Sequence, residues 1–293
     1  MGSLLTNVKA KMAIYAHERV RGVLVGEYGS VFKGRSMDFD DLREYIPGDD
    51  IKDIDWKATA RSGATRIRRY IAVRKHNIML VIDTGRNMTA VTDSGSSKKD
   101  TVIMLAGVIG TVALKHGDLV GMVSGDKGHS RYHPLKTGMT HLERLLQVID
   151  TSVVDESDES NIASQLEYVV RNVRRKMIVV VISDEIEFDE SVRSVVKRLR
   201  AQHEILWLRV SDADLTMRSF IADVEQIGHI LPAFIRRNKT VMAAFQREEA
   251  ENRQKFEREL NRMAIATETV SSEEEAVPKV FRLLERHRSA RYT

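Results

Sequence analysis

The sequence predicts an α/β protein: a mostly parallel sheet with helices on both faces, preceded by a small N-terminal segment of helix and strand. Three observations carry this. Residues 77–82 and 176–182 are almost continuously apolar over the length of a strand, as strands buried on both faces are. From His76 onward, strand-like and helix-like stretches alternate regularly, which is the pattern of a parallel sheet with crossover helices. Two of these strands also run straight into a carboxylate, Ile82-Asp83 and Ser183-Asp184, at the end of the sheet where ligands of open α/β folds bind.

Taken in order, residues 4–24 read as helix, with Leu5, Val8, Met12 and Tyr15 at helical spacing. Residues 26–34, punctuated by Gly26, Gly29 and Gly34, read as short strand and turn. A helical-looking stretch over 40–45 leads into a turn at Pro47-Gly48-Asp49-Asp50 and a short segment to Ala60. Residues 66–73 alternate basic with apolar or aromatic side chains, as a half-exposed strand does. After the strand at 77–82 comes a helix over 99–115, stopped by Gly117. Strands follow over 118–124 and 129–135. Thr140 and Glu143 have capping-box spacing and open a helix to Ile149.

A helix over 160–175 places Ile162, Leu166, Val169, Val170 and Val173 on one face. The strand at 176–182, a helix at 191–201 and a strand at 205–210 continue the alternation. The stretch 211–262 is polar and helix-rich. Within it, residues 243–261 carry acidic and basic side chains three and four apart, as an exposed helix does. A strand over 264–270 and a helix over 273–287 complete the sheet. The division implied is an N-terminal segment over 1–75 packing on the core, and an α/β domain over 76–293 with a helical insertion at about 211–262.

Composition narrows the function classes. The chain has 293 residues and no cysteine, which removes disulfide frameworks, thiolate metal sites and cysteine nucleophiles together. The formal net charge is +4 and the pI about 9.2, but acidic and basic residues interleave, so no phosphate-tracking surface stands out. Arg66, Arg68, Arg69, Arg74 and Lys75, with Arg286, Arg288 and Arg291, are the densest basic clusters. A solvated strand face and a helix end account for them. The first residues lack the apolar run of a signal peptide, and residues 102–114 are too few to span a bilayer. The expectation is a soluble, cytoplasmic protein.

Several motifs bear on chemistry. No phosphate-binding loop pattern occurs in the sequence. Asp83-Thr84-Gly85 also occurs in aspartic proteases, but those need two such carboxylates, in an all-β setting. His129 and His133 lie four apart on a strand, a spacing more consistent with accident than with a metal pair. Asp83 and Asp184 are the leading site residues, because neighbouring parallel strands would bring both to one edge. Two carboxylates with hydroxyl and amide neighbours suit a hard cation such as Mg²⁺, whereas helix capping would account for them structurally.

Arg43-Glu44-Tyr45-Ile46-Pro47-Gly48-Asp49-Asp50 and Ile54-Asp55-Trp56-Lys57-Ala58-Thr59-Ala60-Arg61 together resemble the hallmark of a bacterial family of uncharacterised function. That family joins the hallmark to a von Willebrand factor A-like, Rossmann-like domain. Gly29, Ser30, Phe32, Gly34 and Arg35 resemble its lead-in segment. The likeness runs on through Asp83, Asp184 and the final strand and helix.

The resemblance implies a metal-ion-dependent adhesion site, in which an Asp-x-Ser-x-Ser loop, a distant threonine and a later aspartate hold Mg²⁺. Here Asp83 and Asp184 match, Gly85 and Asn87 replace the two serines, and Ser160 stands for the threonine. The site is therefore degenerate, with weak Mg²⁺ binding or none expected, and Arg86 next to Gly85 is placed to meet a partner electrostatically. The resemblance also implies a partner, a MoxR-type AAA+ ATPase or its client.

The reading that follows is a non-catalytic binding module. The alternatives are a Mg²⁺-dependent hydrolase or nuclease and a nucleic-acid-binding protein. For the hallmark block, burial of Trp56 and pairing of Arg43 or Arg61 with Asp55 would suffice as a structural account; direct contact with a partner is the other.

Overall fold

A computed structural model describes residues 3–18, 38–71, 75–92, 94–184, 186–211 and 239–290. The expected continuation of the first helix to residue 24, the strand and turn over 26–34, the lead-in residues up to Arg35, residues 72–73, Arg74, Arg291 and residues 212–238 of the insertion lie outside these. The described residues fall into two compact units.

The smaller unit lies within residues 32–76 and holds β1 (Asp38–Glu44), a 3-10 turn at Ile51–Asp53, α2 (Trp56–Ser62) and β2 (Arg66–Ile71). The stretch over 40–45 expected to be helical is strand. β1 runs antiparallel to β2, with Glu44 opposite Arg66 and their charged groups 3.8 Å apart. Cross-strand charge pairing of this kind overrides a weak local helical preference.

The larger unit takes in α1 (Leu4–Glu18) and everything from residue 77 onward. The segment expected over 1–75 is thus divided, with its first helix grouped with the sheet. The elements, in order, are β3 (Asn77–Asp83), a 3-10 turn at Arg86–Thr89, α3 (Lys98–Lys115), β4 (Leu119–Gly125), β5 (Ser130–Lys136), α4 (Met139–Ser152), α5 (Ile162–Asn172), β6 (Ile178–Ser183), α6 (Glu190–Gln202), β7 (Glu204–Val210), α7 (Lys239–Arg262), β8 (Ala266–Val270) and α8 (Glu273–Ala290).

The sheet order is β5-β4-β3-β6-β7-β8. Every neighbouring pair is parallel except β4 with β5. This is the doubly wound architecture expected from the sequence, with an antiparallel edge strand. The chain leaves β3 toward one edge and returns at β6 toward the other, so the topological switch point lies between β3 and β6.

Met79, Val81, Val179, Val181, Ile205 and Trp207 form one face of the core, covered by α5, α6 and the end of α7. α3, α4 and α8 cover the other face, and α1 lies across those three helices. That sandwiching explains why α3 is apolar nearly all round: from Thr101 to Ala113 every residue is buried.

Two helices depart from expectation in ways that matter. The Thr140–Glu143 capping box does not form. Gly138 precedes α4 and Thr140 is its second residue, while the Glu143 carboxylate reaches away to accept from the Leu4 and Leu5 amides at 3.0 and 2.9 Å and from the Ser3 hydroxyl at 2.8 Å. One helix thus supplies the N-terminal cap of another, satisfying donors that would otherwise lack partners. Burial pushes the Glu143 carboxyl up, but these hydrogen bonds outweigh it and hold the group below its usual range. α7, read from sequence as an exposed helix, buries Phe256 and Leu260 near its end. The Phe256 ring packs edge-on against Phe188 and Trp207, at 5.6 and 5.4 Å between centroids. Among the described residues no helix is long and apolar enough to cross a membrane.

Candidate functional site at the switch point

β3 and β6 are in register from Ile78 opposite Ile178 to Ile82 opposite Ile182. Asp83 is therefore level with Ser183, and Asp184 lies one residue beyond it. Both carboxylates sit at the carboxyl ends of adjacent parallel strands, on either side of the switch point, and both are buried. Asp83 Oδ1 accepts from the Gly85 amide at 2.9 Å, which turns the chain sharply out of β3. It does not cap a following α-helix; α3 is capped by Ser97.

Asp184 meets a residue that sequence reasoning passed over. The Lys98 ammonium lies 2.8 Å from Asp184 Oδ1, with the two side chains 0% and 1% exposed. Lys98 is the first residue of α3, and its amide is fixed by the Ala90 carbonyl at 3.1 Å. A cation in a first turn faces the positive end of the helix dipole. That unfavourable placement, directly before a long apolar helix, was the available signal that the lysine has a buried partner.

The loop after Asp83 is closed down by its neighbours. Gly85 lies so near the 157–161 segment that a Cβ on it would come within 2.4 Å of Ser160 Cα and 2.5 Å of Ser160 Oγ. The Arg86 amide donates to the Asp158 carbonyl at 2.9 Å, the Thr84 amide to that of Gly125 at 2.8 Å, and the Lys127 amide to that of Glu159 at 2.8 Å. Asn87 is buried in the 3-10 turn, and Arg86 is half-buried. Lys127 first, and Arg86 from further off, hold the Glu159 carboxyl below its usual range. Asp83, Gly85, Arg86, Asn87, Ser160 and Asp184 thus belong to one edge of the sheet. Next to them, His129 groups with Asp126 and Asp158, their ligand atoms all within 4.8 Å of one another. The histidine pairing weighed from sequence, with His133, is not the one that brings ligands together.

The residues present do not fit the Mg²⁺ ion that the family resemblance implies. Asp184 already holds an internal cation. Gly85 supplies no oxygen and is pressed against Ser160, leaving no room there for a serine's hydroxymethyl group. A dication beside the Lys98 ammonium would meet like charge in a site closed to water, where screening is weak.

The hallmark block, in the smaller unit, is explained residue by residue up to a point. Arg43 grips Asp49 through two hydrogen bonds of 2.7 and 2.6 Å, and Asp49 also accepts from the Ile46 amide at 3.0 Å. Together they close the turn at Pro47 and Gly48, where Gly48 has φ +112°. The hydrogen bonds between them, with that of the Ile46 amide, hold the Asp49 carboxyl below its usual range, and the same side-chain bonds raise the Arg43 guanidinium. Asp50 caps the 3-10 turn, and Asp55 caps α2 by accepting from the Lys57 and Ala58 amides, both at 3.0 Å. Arg43 is therefore the partner of Asp49 and not of Asp55. Tyr45 is half-buried, and Arg61 is exposed. Trp56, for which burial and contact with a partner were both left open, is 66% exposed. The Asp55 cap starts α2 at Trp56, and the following apolar side chains, Ala58 and Ala60, are too small to build a core over its ring. Ile51 and Ile46 are exposed to 65% and 61%.

The model of the family described as "Protein of unknown function DUF58" matches residues 41–262. Uncharacterised proteins of Mycobacterium tuberculosis and Mycobacterium bovis are each 28% identical to this chain over 199 residues. The match covers 67% of this chain and 61% of theirs, so the chain spans about three fifths of the length of these curated relatives. Among solved structures, an aerotolerance-related membrane protein from Bacteroides fragilis is similar over 72% of this chain and 99% of that one, with 17% identity and a TM-score of 0.43. A von Willebrand factor type A protein from Catenulispora acidiphila is similar over 75% of this chain and 43% of that one, with 9% identity and a TM-score of 0.42.

Proposed function

This chain belongs to the DUF58 family, and from that premise we propose that it is a non-catalytic protein-binding module. The observation that carries the reading is the exposure of Trp56, Ile51 and Ile46 on the hallmark block, at 66%, 65% and 61%. Asp49, Asp50 and Asp55 around them are engaged in capping and turn closure, so this unit uses these polar groups to build a scaffold and leaves three large apolar side chains outside. Exposed tryptophan on a braced scaffold is what an interface anchor looks like before its partner arrives. Arg86, half-buried beside the closed Asp83–Asp184 edge, is the second contact point. The partner to test first is the one the resemblance implies, a MoxR-type AAA+ ATPase or its client.

The test is recovery of partners from an extract of the source cell by the tagged protein, with and without Mg²⁺-ATP. The expected result is nucleotide-dependent recovery of an AAA+ ATPase that Trp56→Ala removes. Because Trp56 is largely solvated, that variant keeps its stability to within about 0.5 kcal/mol. Recovery that Trp56→Ala and Ile51→Ala leave unchanged moves the interface elsewhere. Substrate turnover by the purified protein, lost in Asp83→Ala, overturns the non-catalytic reading. The Asp126, His129 and Asp158 group is the one observation favouring the alternative, a metal-dependent hydrolase or nuclease, and plasmid cleavage with Mg²⁺ or Mn²⁺ tests it.

A further inference from the structure

We propose that the Lys98 ammonium is a tethered cation standing in for a divalent ion at the switch point, and that the edge lies one substitution away from binding such an ion. The inference concerns the chemistry of the edge alone and stands whether or not the partner reading above holds.

Three observations support it. Lys98 is among the largest fully buried side chains of the described residues, in the company of Trp207 and Phe256. A lysine is almost never wholly buried without a carboxylate to hold it, and Asp184 does so at 2.8 Å. Its position in the fold is also unfavourable for a cation, in the first turn of α3 with its backbone tied to Ala90. Asp184, at the end of the sheet, is a carboxylate that holds it there. There, Asp83 and Asp184 terminate adjacent strands, both shielded from solvent. Two buried carboxylates need compensating charge. One ammonium supplies part of it, permanently and without dependence on any ion in solution.

With Lys98 replaced by an apolar side chain of similar length, the edge still carries Asp83 and Asp184 at the ends of adjacent strands, with Asn87 and Ser160 on the loops beside them. These are hard oxygen donors of the type Mg²⁺ and Mn²⁺ take, with water completing the shell. The edge is then selective for a hard divalent cation, where the wild-type edge is indifferent to one.

The experiment is thermal unfolding and Mn²⁺ titration of the full chain in a His129→Ala, Asp158→Asn background, which disables the neighbouring Asp126–His129–Asp158 group. The expected result is that Mn²⁺ leaves the parent unchanged. Lys98→Met melts lower in chelator, and millimolar Mn²⁺ raises its Tm by about 2–4 °C or more. Asp83→Asn in the same variant removes the Mn²⁺ response. Lys98→Met/Asp184→Asn, with the uncompensated charge removed, folds in chelator and is much less responsive.

Three outcomes overturn the proposal. One is a parent that binds Mn²⁺ in a manner lost on Asp83→Asn. Another is a folded Lys98→Met that gains no Mn²⁺ affinity. The third is a Lys98→Met that stays unfolded with Mn²⁺, whether or not the double variant folds, since the ion then cannot replace the ammonium.

Discussion

At the scale of single residues, the edge of the sheet is decided by two positions, Lys98 and Gly85. Gly85 is often read only for the ligand it lacks. In this fold it is also a contact residue, because the 157–161 segment lies where its Cβ would be. Gly85→Ala is expected to destabilise the protein by about 1–3 kcal/mol, as overpacking against backbone does, measurable by chemical denaturation. A variant of unchanged stability would show that the segment yields freely. The pairing of Asp83 with Asp184 at one edge was legible in the sequence, since a strand ending in a carboxylate is visible without a structure. The Lys98 partnership left one signal, a cation in the first turn of an apolar helix, but its partner cannot be named until the strand that faces it is known. For the 43–61 block the sequence left burial of Trp56 and contact with a partner both open, because residue order alone does not show that the short helix α2 leaves the ring exposed.

At the scale of elements, borrowed caps and buried ends do work that local sequence rules misassign. Glu143 has the spacing of a capping-box residue for its own helix, yet it caps α1 across 138 or so residues of sequence. Glu143→Ala should cost about 1 kcal/mol and should raise hydrogen exchange in α1 before any other helix.

The same contact gives a pH dependence. The carboxyl is held below its ordinary value in the folded protein, so its contribution is complete above the unfolded value of about 4.3. It is lost as the pH falls through the lower, folded value. Amide exchange of α1 compared at neutral and acid pH checks this, and Glu143→Gln should flatten the difference.

α7 makes the complementary point. Its acidic and basic periodicity was read correctly as solvated surface over most of its length, but one aromatic near its end decides where it docks. Phe256→Ala removes a ring packed on Phe188 and Trp207 and is expected to cost about 3–5 kcal/mol, seen as a lower denaturation midpoint. The expected helix at 40–45 failed for a related reason: a two-residue view of Arg43 and Glu44 does not contain the basic strand that pairs with them.

At the scale of the whole molecule, the mostly parallel sheet with helices on both faces was the most legible property, because long apolar runs separated by helices admit few architectures. The partition into units was not, since α1 and the hallmark block adjoin in sequence and nothing in composition divides them. The smaller unit is a two-stranded ribbon with one short helix, and Ile67 is its one described apolar side chain counted in the core. Such a unit is marginal on its own. A peptide covering residues 38–71 is expected to show no dispersed amide resonances, whereas a folded spectrum would establish it as an autonomous domain.

The grouping of α1 with the sheet has a consequence for how the chain is made. α1 is translated before every strand of the sheet, yet it lies across α3, α4 and α8, and the carboxylate that caps it belongs to Glu143. At about 5–20 residues per second, the ribosome delivers that residue on the order of ten seconds after Leu5 and needs a comparable time again to reach α8. Over that interval Leu5, Val8 and Met12 have no seat. A helix made before the sheet thus waits for partners that follow it by more than a hundred residues, and the nascent α1 needs shelter while they are being synthesised.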